Sequence, residues 1–210
     1  AQARSPAVQV ERLKVGRILA RELQRLDPTT PAPPTHDRLV KRAMLRERRG
    51  PHIYAPEEIE RLLRTARDLP SPKAPLRSAT LHTMIVLAYC VGLPIGEIVR
   101  LKLRDLRIEE GEIEILETKF FKCRRLPIKA SVVAVLGGYL EQRAAAGLPT
   151  DPDAPLFCHE KGGYAFVTAE HLLRQVIRAA GLKPEGGRRG PRVHDLRHTF
   201  VVHRMLAWYR

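Results

Sequence analysis

Apolar residues recur at helical spacing from the beginning of the chain. The segment Val10–Leu26 predicts a helix with one apolar stripe, formed by Val15, Ile18, Leu19, Leu23 and Leu26. Asp27–Pro28 ends this helix, and prolines at positions 31, 33 and 34 favour an extended chain. A basic stretch follows from Arg38 to Arg49. Residues 28–50 are therefore interpreted as a linker, either simply solvated or following DNA phosphates, between a one-helix fragment and the main domain.

The main domain begins near Tyr54 and is predicted to be mostly helical. Pro56 suits a first helical position, and the acidic residues after it complement the helix dipole. A second helix is predicted to end at Gly92 as its C-cap, and Pro94 can open a short helix. Later helices are predicted over residues 131–146 and 169–180, and in a last segment that carries His194 and Arg197.

The hydrophobic period changes between residues 112 and 128. Polar and apolar residues alternate over Glu112–Ile115, which predicts a half-buried strand, and Cys123–Ile128 is predicted to return as a second strand after a turn at Thr118–Lys122. A loop is predicted to run to Gly163. The expected fold class is α+β, mainly α, with a small antiparallel sheet. Residues 1–50 and 51–210 are expected to form separate units.

The net charge of +14 and the pI of about 10.3 favour a polyanionic partner, most commonly nucleic acid. An aromatic content of 5% argues against a stacking platform for single strands. No apolar run is long enough for a membrane span, and no export signal follows Ala1. Three widely spaced cysteines predict neither a disulfide framework nor a zinc site. These features together predict a cytoplasmic protein.

Three short motifs occur in a fixed order along the main domain. They are Gly-Leu-Pro-Ile-Gly-Glu at 92–97, a predicted hairpin around Lys119, and His-Asp-Leu-Arg-His-Thr-Phe at 194–200. Residues 54–210 therefore resemble the tyrosine recombinases of the phage-integrase type, whose patterns are Gly-Leu-Arg-x-x-Glu, a hairpin lysine and His-x-x-Arg. That resemblance implies double-stranded DNA as the partner and self-association on DNA. It also implies chemistry without metal, nucleotide or other cofactor, and residues 1–50 as a remnant of an N-terminal core-binding domain.

The resemblance assigns a role to each matching residue. Arg197 would clamp the scissile phosphate, because a planar guanidinium donates two hydrogen bonds to one phosphate. His194, three residues away on the same helix face, would assist by hydrogen bonding or proton transfer. Lys119 would protonate the leaving 5′-oxygen, and Glu97 would buttress the first arginine of the family. The simpler alternatives are a capping or surface histidine for His194, exposed surface cations for Arg197 and Lys119, and a helix-dipole acid for Glu97.

Neighbouring basic residues leave alternatives open. Lys122 competes with Lys119 for the hairpin role and is otherwise a DNA-binding candidate. Arg124 and Arg125 are most simply outward-facing strand residues, with contact to the DNA backbone as the alternative reading.

Two departures from the family pattern predict that the chain does not cut DNA. The first arginine of the family falls at Pro94, which offers neither charge nor donor, and losing such a clamp costs about 2.7–4 kcal/mol of transition-state stabilisation. The nucleophilic tyrosine is expected several tens of residues beyond Arg197, whereas Tyr209 lies too close. The catalytic domain is thus expected to be incomplete at its C-terminus. The last helix is expected to expose apolar residues, which predicts weak stability.

Three functions remain open on these observations. The first is a fragmentary or degenerate site-specific recombinase or integrase. The second is a catalytically dead DNA-binding module that occupies recombination sites, which the proline at position 94 favours. The third, a generic basic RNA-binding protein, rests on charge alone and leaves the three ordered motifs unexplained.

Overall fold

The computed structural model of the chain describes residues 6–32, 50–72, 74–116, 123–184 and 190–209. The chain divides into two compact units, residues 1–50 and 51–210. In the first unit, helix α1 spans Pro6–Leu26, so it ends where predicted and begins four residues before the predicted start at Val10. After α1 the chain turns back on itself, where the side chain of Gln24 donates to the carbonyl oxygen of Thr30 at 3.1 Å. Most of the predicted apolar stripe of α1, from Val15 to Leu26, is exposed.

The second unit is built mainly from helices. They are α2 (Pro56–Arg67), α3 (Arg77–Val86, continued by a π-helical turn over Leu87–Val91), α4 (Ile95–Ile98), α5 (Ala130–Ala145), α6 (Phe166–Ala179) and α7 (Asp195–Trp208). Helix α3 lies at the centre, because every residue from Thr80 to Ala88 is buried. It packs against α2, α5 and α6, and its π-helical turn packs against α7. Helix α3 is therefore the middle of the core.

Most predicted helix ends lie close to those of the structure. Gly92 ends the π-helical turn with a φ of 74°, which confirms the predicted left-handed cap. At the start of α2, the carboxylate of Glu58 accepts the backbone N–H of Ala55 at 2.9 Å, so this acid caps the helix directly. Helix α6 begins at Phe166, three residues before its predicted start at Ala169, because the extended residue Ala165 serves as its N-cap.

A small antiparallel sheet lies beside the helices, in the order β1-β2-β3. Its strands are β1 (Leu106–Arg107), β2 (Glu112–Ile115) and β3 (Arg124–Pro127). Strand β2 confirms the strand predicted from the alternation over Glu112–Ile115, and β3 lies within the predicted returning strand Cys123–Ile128. Strand β1 was not predicted, because two residues carry no measurable period. The predicted turn at Thr118–Lys122 lies outside the described residues.

A second antiparallel pair joins β4 (Cys158–His159) to β5 (Gly162–Gly163). The prediction of a plain loop up to Gly163 is therefore wrong. These strands are too short for their sequence to show a strand period. Among the described residues, no helix combines the length and the apolarity that a membrane crossing requires.

Two buried polar side chains shape the core away from the motifs. On α3, His82 accepts a hydrogen bond from Nε of Arg67 at 3.0 Å through its Nε2. Burial, with the charge of Arg67 as a second cause, lowers the pKa of His82 from 6.5 to about 4, so the ring is neutral at pH 7. On α5, Arg143 is 2% exposed and donates to the carbonyl oxygens of Leu156, Pro155 and Pro149. It thereby fixes the chain that leads into β4.

Candidate functional site

The third motif lies at the beginning of α7. His194 is the residue immediately before the helix, and Arg197 lies in its first turn. Nη1 of Arg197 donates to the carbonyl oxygen of Gly92 at 2.7 Å. The rings of His194 and His198 meet edge to face, with their centroids 4.9 Å apart. The fold therefore brings the first and third motifs into contact, although 105 residues separate Gly92 from Arg197 in the chain.

A buried polar network fixes the first turn of α7. The carboxylate of Asp195 is almost fully buried and accepts hydrogen bonds from the backbone N–H and from Nη2 of Arg192, both at 2.9 Å. The hydroxyl of Thr199 donates to the carbonyl oxygen of Asp195 at 2.8 Å and accepts the backbone N–H of Tyr54 at 3.0 Å. The hydroxyl of Tyr54 donates to the carbonyl oxygen of Arg192 at 3.2 Å. These contacts hold His194 and Arg197 against the entrance to α2.

The supporting role of these residues was not predicted from the sequence. Their sequence signal is faint, since an acid in a first helical turn reads as a partner of the helix dipole. In the sequence, nothing distinguishes Thr199 from an ordinary threonine in a helix. Tyr54 marks only the beginning of the domain. The two hydrogen bonds that tie this turn to Tyr54 join residues 145 and 138 positions apart, so no local pattern could indicate them.

The surroundings of this network determine its protonation. Burial raises the pKa of the Tyr54 hydroxyl well above its ordinary range, and the carboxylates of Asp195 and Glu58 raise it further, so this group remains a hydrogen-bond donor. Partial burial lowers the pKa of His194, and the neighbouring His198 and Arg197 lower it further. His194 is therefore mainly neutral at pH 7, a form that both donates and accepts a hydrogen bond.

The segment 92–97 forms a sharp corner between α3 and α4. Gly92 lies under the ring of Phe200, where a Cβ atom would come within 2.3 Å of the ring carbon Cδ1. Pro94 is the N-cap of α4, one residue earlier than a first helical position, and its carbonyl oxygen accepts the N–H of Glu97 at 2.9 Å. The proline thus fits the local fold while supplying no cation.

Glu97 forms an ion pair with the sheet. Its Oε2 lies 2.5 Å from Nη2 of Arg124, the first residue of β3. Arg124 is accordingly half-buried and paired. This differs from the simplest prediction, in which Arg124 faces outward from the strand. The next residue, Arg125, is exposed and pairs with Glu114 across the strands at 3.3 Å.

The predicted lysines, Lys119 and Lys122, lie outside the described residues. The structure therefore anchors Arg197 at Gly92 and Arg124 at Glu97, the two ends of segment 92–97, with His194 at the start of the helix that carries Arg197. Arg125 belongs to a separate surface pair. Within the described ranges, no group of three or more His, Cys, Asp or Glu side chains is arranged to hold a metal ion.

The five tyrosines of the chain lie in different surroundings. Tyr54, Tyr139 and Tyr164 are buried. The hydroxyl of Tyr89 lies 3.1 Å from Nδ1 of His203. Tyr209 is exposed directly after α7, and twelve helical residues place it about 18 Å along the axis from Arg197.

A mostly helical domain with a small sheet, and with a histidine and an arginine presented at a helix start, defines the class of protein. The sequence model described as the phage integrase family matches residues 53–206. The chain therefore belongs to the phage integrase family, the tyrosine recombinases. The expected mainly α fold with a small antiparallel sheet is confirmed.

Individual relatives agree with this placement. The chain is 33% identical over 207 residues to a putative integrase/recombinase, y4rB, of Sinorhizobium fredii, covering 97% of this chain and 65% of that protein. It is 27% identical over 157 residues to the tyrosine recombinase XerA of Pyrococcus furiosus, covering 73% of this chain and 48% of XerA. The chain thus spans between about half and two thirds of the length of these curated relatives.

Solved structures share the fold. The Tn1549 transposon integrase, in a complex with circular intermediate DNA, superposes with a TM-score of 0.73 at 15% identity, covering 98% of this chain and 68% of that one. A crystal structure of a XerA recombinase superposes with a TM-score of 0.59 at 23% identity, covering 80% of this chain and 58% of that one. At these identities the likeness concerns the fold alone.

Proposed function

We propose that the chain binds duplex DNA for site-specific recombination of the tyrosine recombinase type, and that residues 1–210 by themselves do not cut it. Residues 51–210 would form the catalytic domain. Residues 1–50 would contribute a helix of the core-binding domain and a basic linker. The observation that carries the proposal is the anchoring of Arg197 at Gly92 beside His194, because it joins two separate motifs into one cationic site.

The geometry of Arg197 suits a phosphate clamp. One hydrogen bond at 2.7 Å holds its Nη1 against the main chain, and Arg197 as a residue is only partly buried. An arginine carries five N–H donors in a rigid fork, so donors remain for a phosphate after this anchor is made. Fixing the group before the ligand arrives lowers the entropic cost of binding. His194, neutral at pH 7, adds a donor at the same helix start.

Phosphodiester transfer also needs a nucleophile and further cations. Pro94 provides no donor at the position of the family's first arginine, and the tyrosines of the chain are either buried, bonded or distant from Arg197. Lys119 remains the proposed general acid. In this proposal the activity of the site stops at binding DNA and orienting a phosphate.

The salt dependence of DNA binding tests the proposal. A short random-sequence duplex serves as the ligand, and its affinity is measured between about 50 and 200 mM salt, because each neutralised phosphate contributes about −0.9 to the slope of log Kobs against log salt. We expect a steep negative slope that Arg197→Gln makes shallower by about 0.9. Arg174→Gln is the matched control, since Arg174 already pairs with Glu170 at 3.0 Å on α6. An affinity that does not change with salt would contradict the proposal.

The second candidate function is a catalytically dead module that occupies recombination sites, and Pro94 is the observation that favours it. A nicked suicide duplex that traps covalent adducts separates the two readings, when a tyrosine-bearing C-terminal segment of a family relative is joined to this chain. An adduct formed with Pro94 in place would refute the dead-module reading. Adduct formation only after Pro94→Arg would favour it.

Two further parts of the proposal concern partners. Self-association on DNA predicts more than one chain per short duplex in analytical ultracentrifugation at saturating protein. Preference for duplex DNA predicts that an excess of structured RNA competes poorly, and strong competition by RNA would instead support a generic RNA-binding protein.

A further inference from the structure

We propose that Arg124 supplies the cation that position 94 lacks, and that Glu97 holds it in place as a second phosphate-binding group beside Arg197. This inference rests on the proposed function. Arg124 lies on strand β3, whereas the family carries its first arginine in the motif that corresponds to residues 92–97. Arg124 is thereby assigned a specific place in the site.

Both guanidiniums are anchored on the same short segment. Arg197 is held at the carbonyl oxygen of Gly92 at 2.7 Å, and Arg124 is held at the carboxylate of Glu97 at 2.5 Å. Gly92 and Glu97 are five residues apart, so even a fully extended chain would separate their Cα atoms by no more than about 18 Å. The turn closed by the carbonyl oxygen of Pro94 and the N–H of Glu97, at 2.9 Å, shortens that span. The residues that anchor the two cations therefore lie on either side of Pro94 in one short corner of the chain.

Arg124 is held in a way that leaves it available. Glu97 takes one donor of the guanidinium at a single carboxylate oxygen, and about a third of the Arg124 side chain is exposed, at 35%, against 14% for Glu97. An anchored arginine of this kind loses little further side-chain freedom when a phosphate binds to its remaining donors. The acid is thus the buried support and the base is the accessible group.

The neighbouring arginine has no such place. Successive residues of a strand point to opposite faces, so Arg125 leaves the sheet on the side opposite to Arg124. Its side chain is 56% exposed and pairs with Glu114 on β2. Arg125 carries the same charge as Arg124 and lies on the same strand, but its described ion pair is with β2 and not with segment 92–97. It is therefore the matched control.

The experiment is a double-mutant cycle on DNA affinity, with the same random-sequence duplex and salt series. We expect Arg124→Gln to make the salt slope shallower by about 0.9. Adding Pro94→Arg should strengthen binding at least five-fold more in the Arg124→Gln background than in the wild-type or Arg125→Gln backgrounds. The reason is that, in the Arg124→Gln background, Glu97 is free to pair with the new arginine at position 94, which can then contact the phosphate in place of Arg124. Equal gains in all three backgrounds would overturn the inference, because they would reflect added charge alone.

A second variant guards against a folding artefact. Removing Arg124 leaves the carboxylate of Glu97 unpaired and partly buried, so the pair Glu97→Gln with Arg124→Gln is measured alongside, with circular dichroism as the check of folding. This pair should show the same shallower slope. A wild-type affinity without salt dependence would remove the proposed function itself. A steep wild-type slope that both Arg124 variants leave unchanged would remove only the present inference.

Discussion

Replacing Gly92 by alanine perturbs the contact that holds Arg197 at the corner between α3 and α4. Gly92 has a φ of 74°, and a Cβ atom there would lie 2.3 Å from Cδ1 and 2.6 Å from Cε1 of Phe200. Phe200 lies on α7, three residues after Arg197, so a displaced ring moves the helix that carries the arginine. The substitution therefore acts on stability and on the site together.

The magnitude follows from two separate costs. A left-handed backbone at a residue with a Cβ costs about 1–2 kcal/mol. Forcing a packed ring aside costs typically about 1–3 kcal/mol. We therefore expect Gly92→Ala to lower the free energy of unfolding by about 2–5 kcal/mol. Gly147→Ala is the control, because Gly147 has a φ of 68° and no atom within 4 Å of the added Cβ, so it should cost only about 1–2 kcal/mol.

Urea unfolding followed by far-ultraviolet circular dichroism measures both variants. Tryptophan fluorescence would report poorly on unfolding, since the single tryptophan, Trp208 at the end of α7, is already 79% exposed in the folded chain. Duplex affinity at fixed salt provides the second measurement, and it should fall for Gly92→Ala and not for Gly147→Ala. Adding Phe200→Leu to Gly92→Ala should recover part of the lost stability.

Two outcomes would refute this reasoning. Equal destabilisation by the two glycine substitutions would show that the ring of Phe200 yields without cost, so the clash would be wrong. A larger loss for Gly92→Ala with unchanged DNA affinity would keep the clash and reject the link between Gly92 and the position of Arg197.

Two further predictions concern the buried polar groups of the core. The folded pKa of His82 lies below its ordinary value, so its contribution to stability is complete above pH 6.5 and is lost as the pH falls toward 4. Lowering the pH from 7 to 5 should therefore reduce the free energy of unfolding by about 2 kcal/mol through His82 alone. Urea titrations should show that His82→Gln removes this pH dependence and that His171→Gln, an exposed control, keeps it. Arg143→Met should destabilise the fold by at least about 2 kcal/mol, because it withdraws the donors that hold the carbonyl of Leu156 and its neighbours. Arg174→Met, which breaks only an exposed pair, should change unfolding by less than about 1 kcal/mol, and similar losses for both variants would contradict this account.

The helices were predictable because their signals are local. The end of α3 and the start of the π-helical turn that continues it, residues 84–88, are uniformly apolar. Gly92 then ends this turn with a left-handed cap, the conformation that glycine favours. Strand β2 was predictable for the same reason, since four residues suffice to show alternation. The two-residue strands β1, β4 and β5 were not, because their pairing partners and not their own residues make them strands.

The candidate site divides in a similar way. The residue types and their order already singled out Glu97, His194 and Arg197, and the proline at position 94 was visible as a missing cation. The sequence did not indicate that Arg124 meets Glu97, because the two residues come from different elements and 27 positions separate them. The network of Tyr54, Asp195 and Thr199 was equally hidden.

The sequence by itself determined which segments become helices, which motifs are present and which cation is absent, since these properties depend on residues within a few positions of one another. Only the tertiary structure decided how the site is assembled. It places Arg197 at the carbonyl of Gly92 and Arg124 at the carboxylate of Glu97. The physical reason is that buried donors and acceptors must find partners wherever packing brings them, and packing joins residues that the chain keeps far apart.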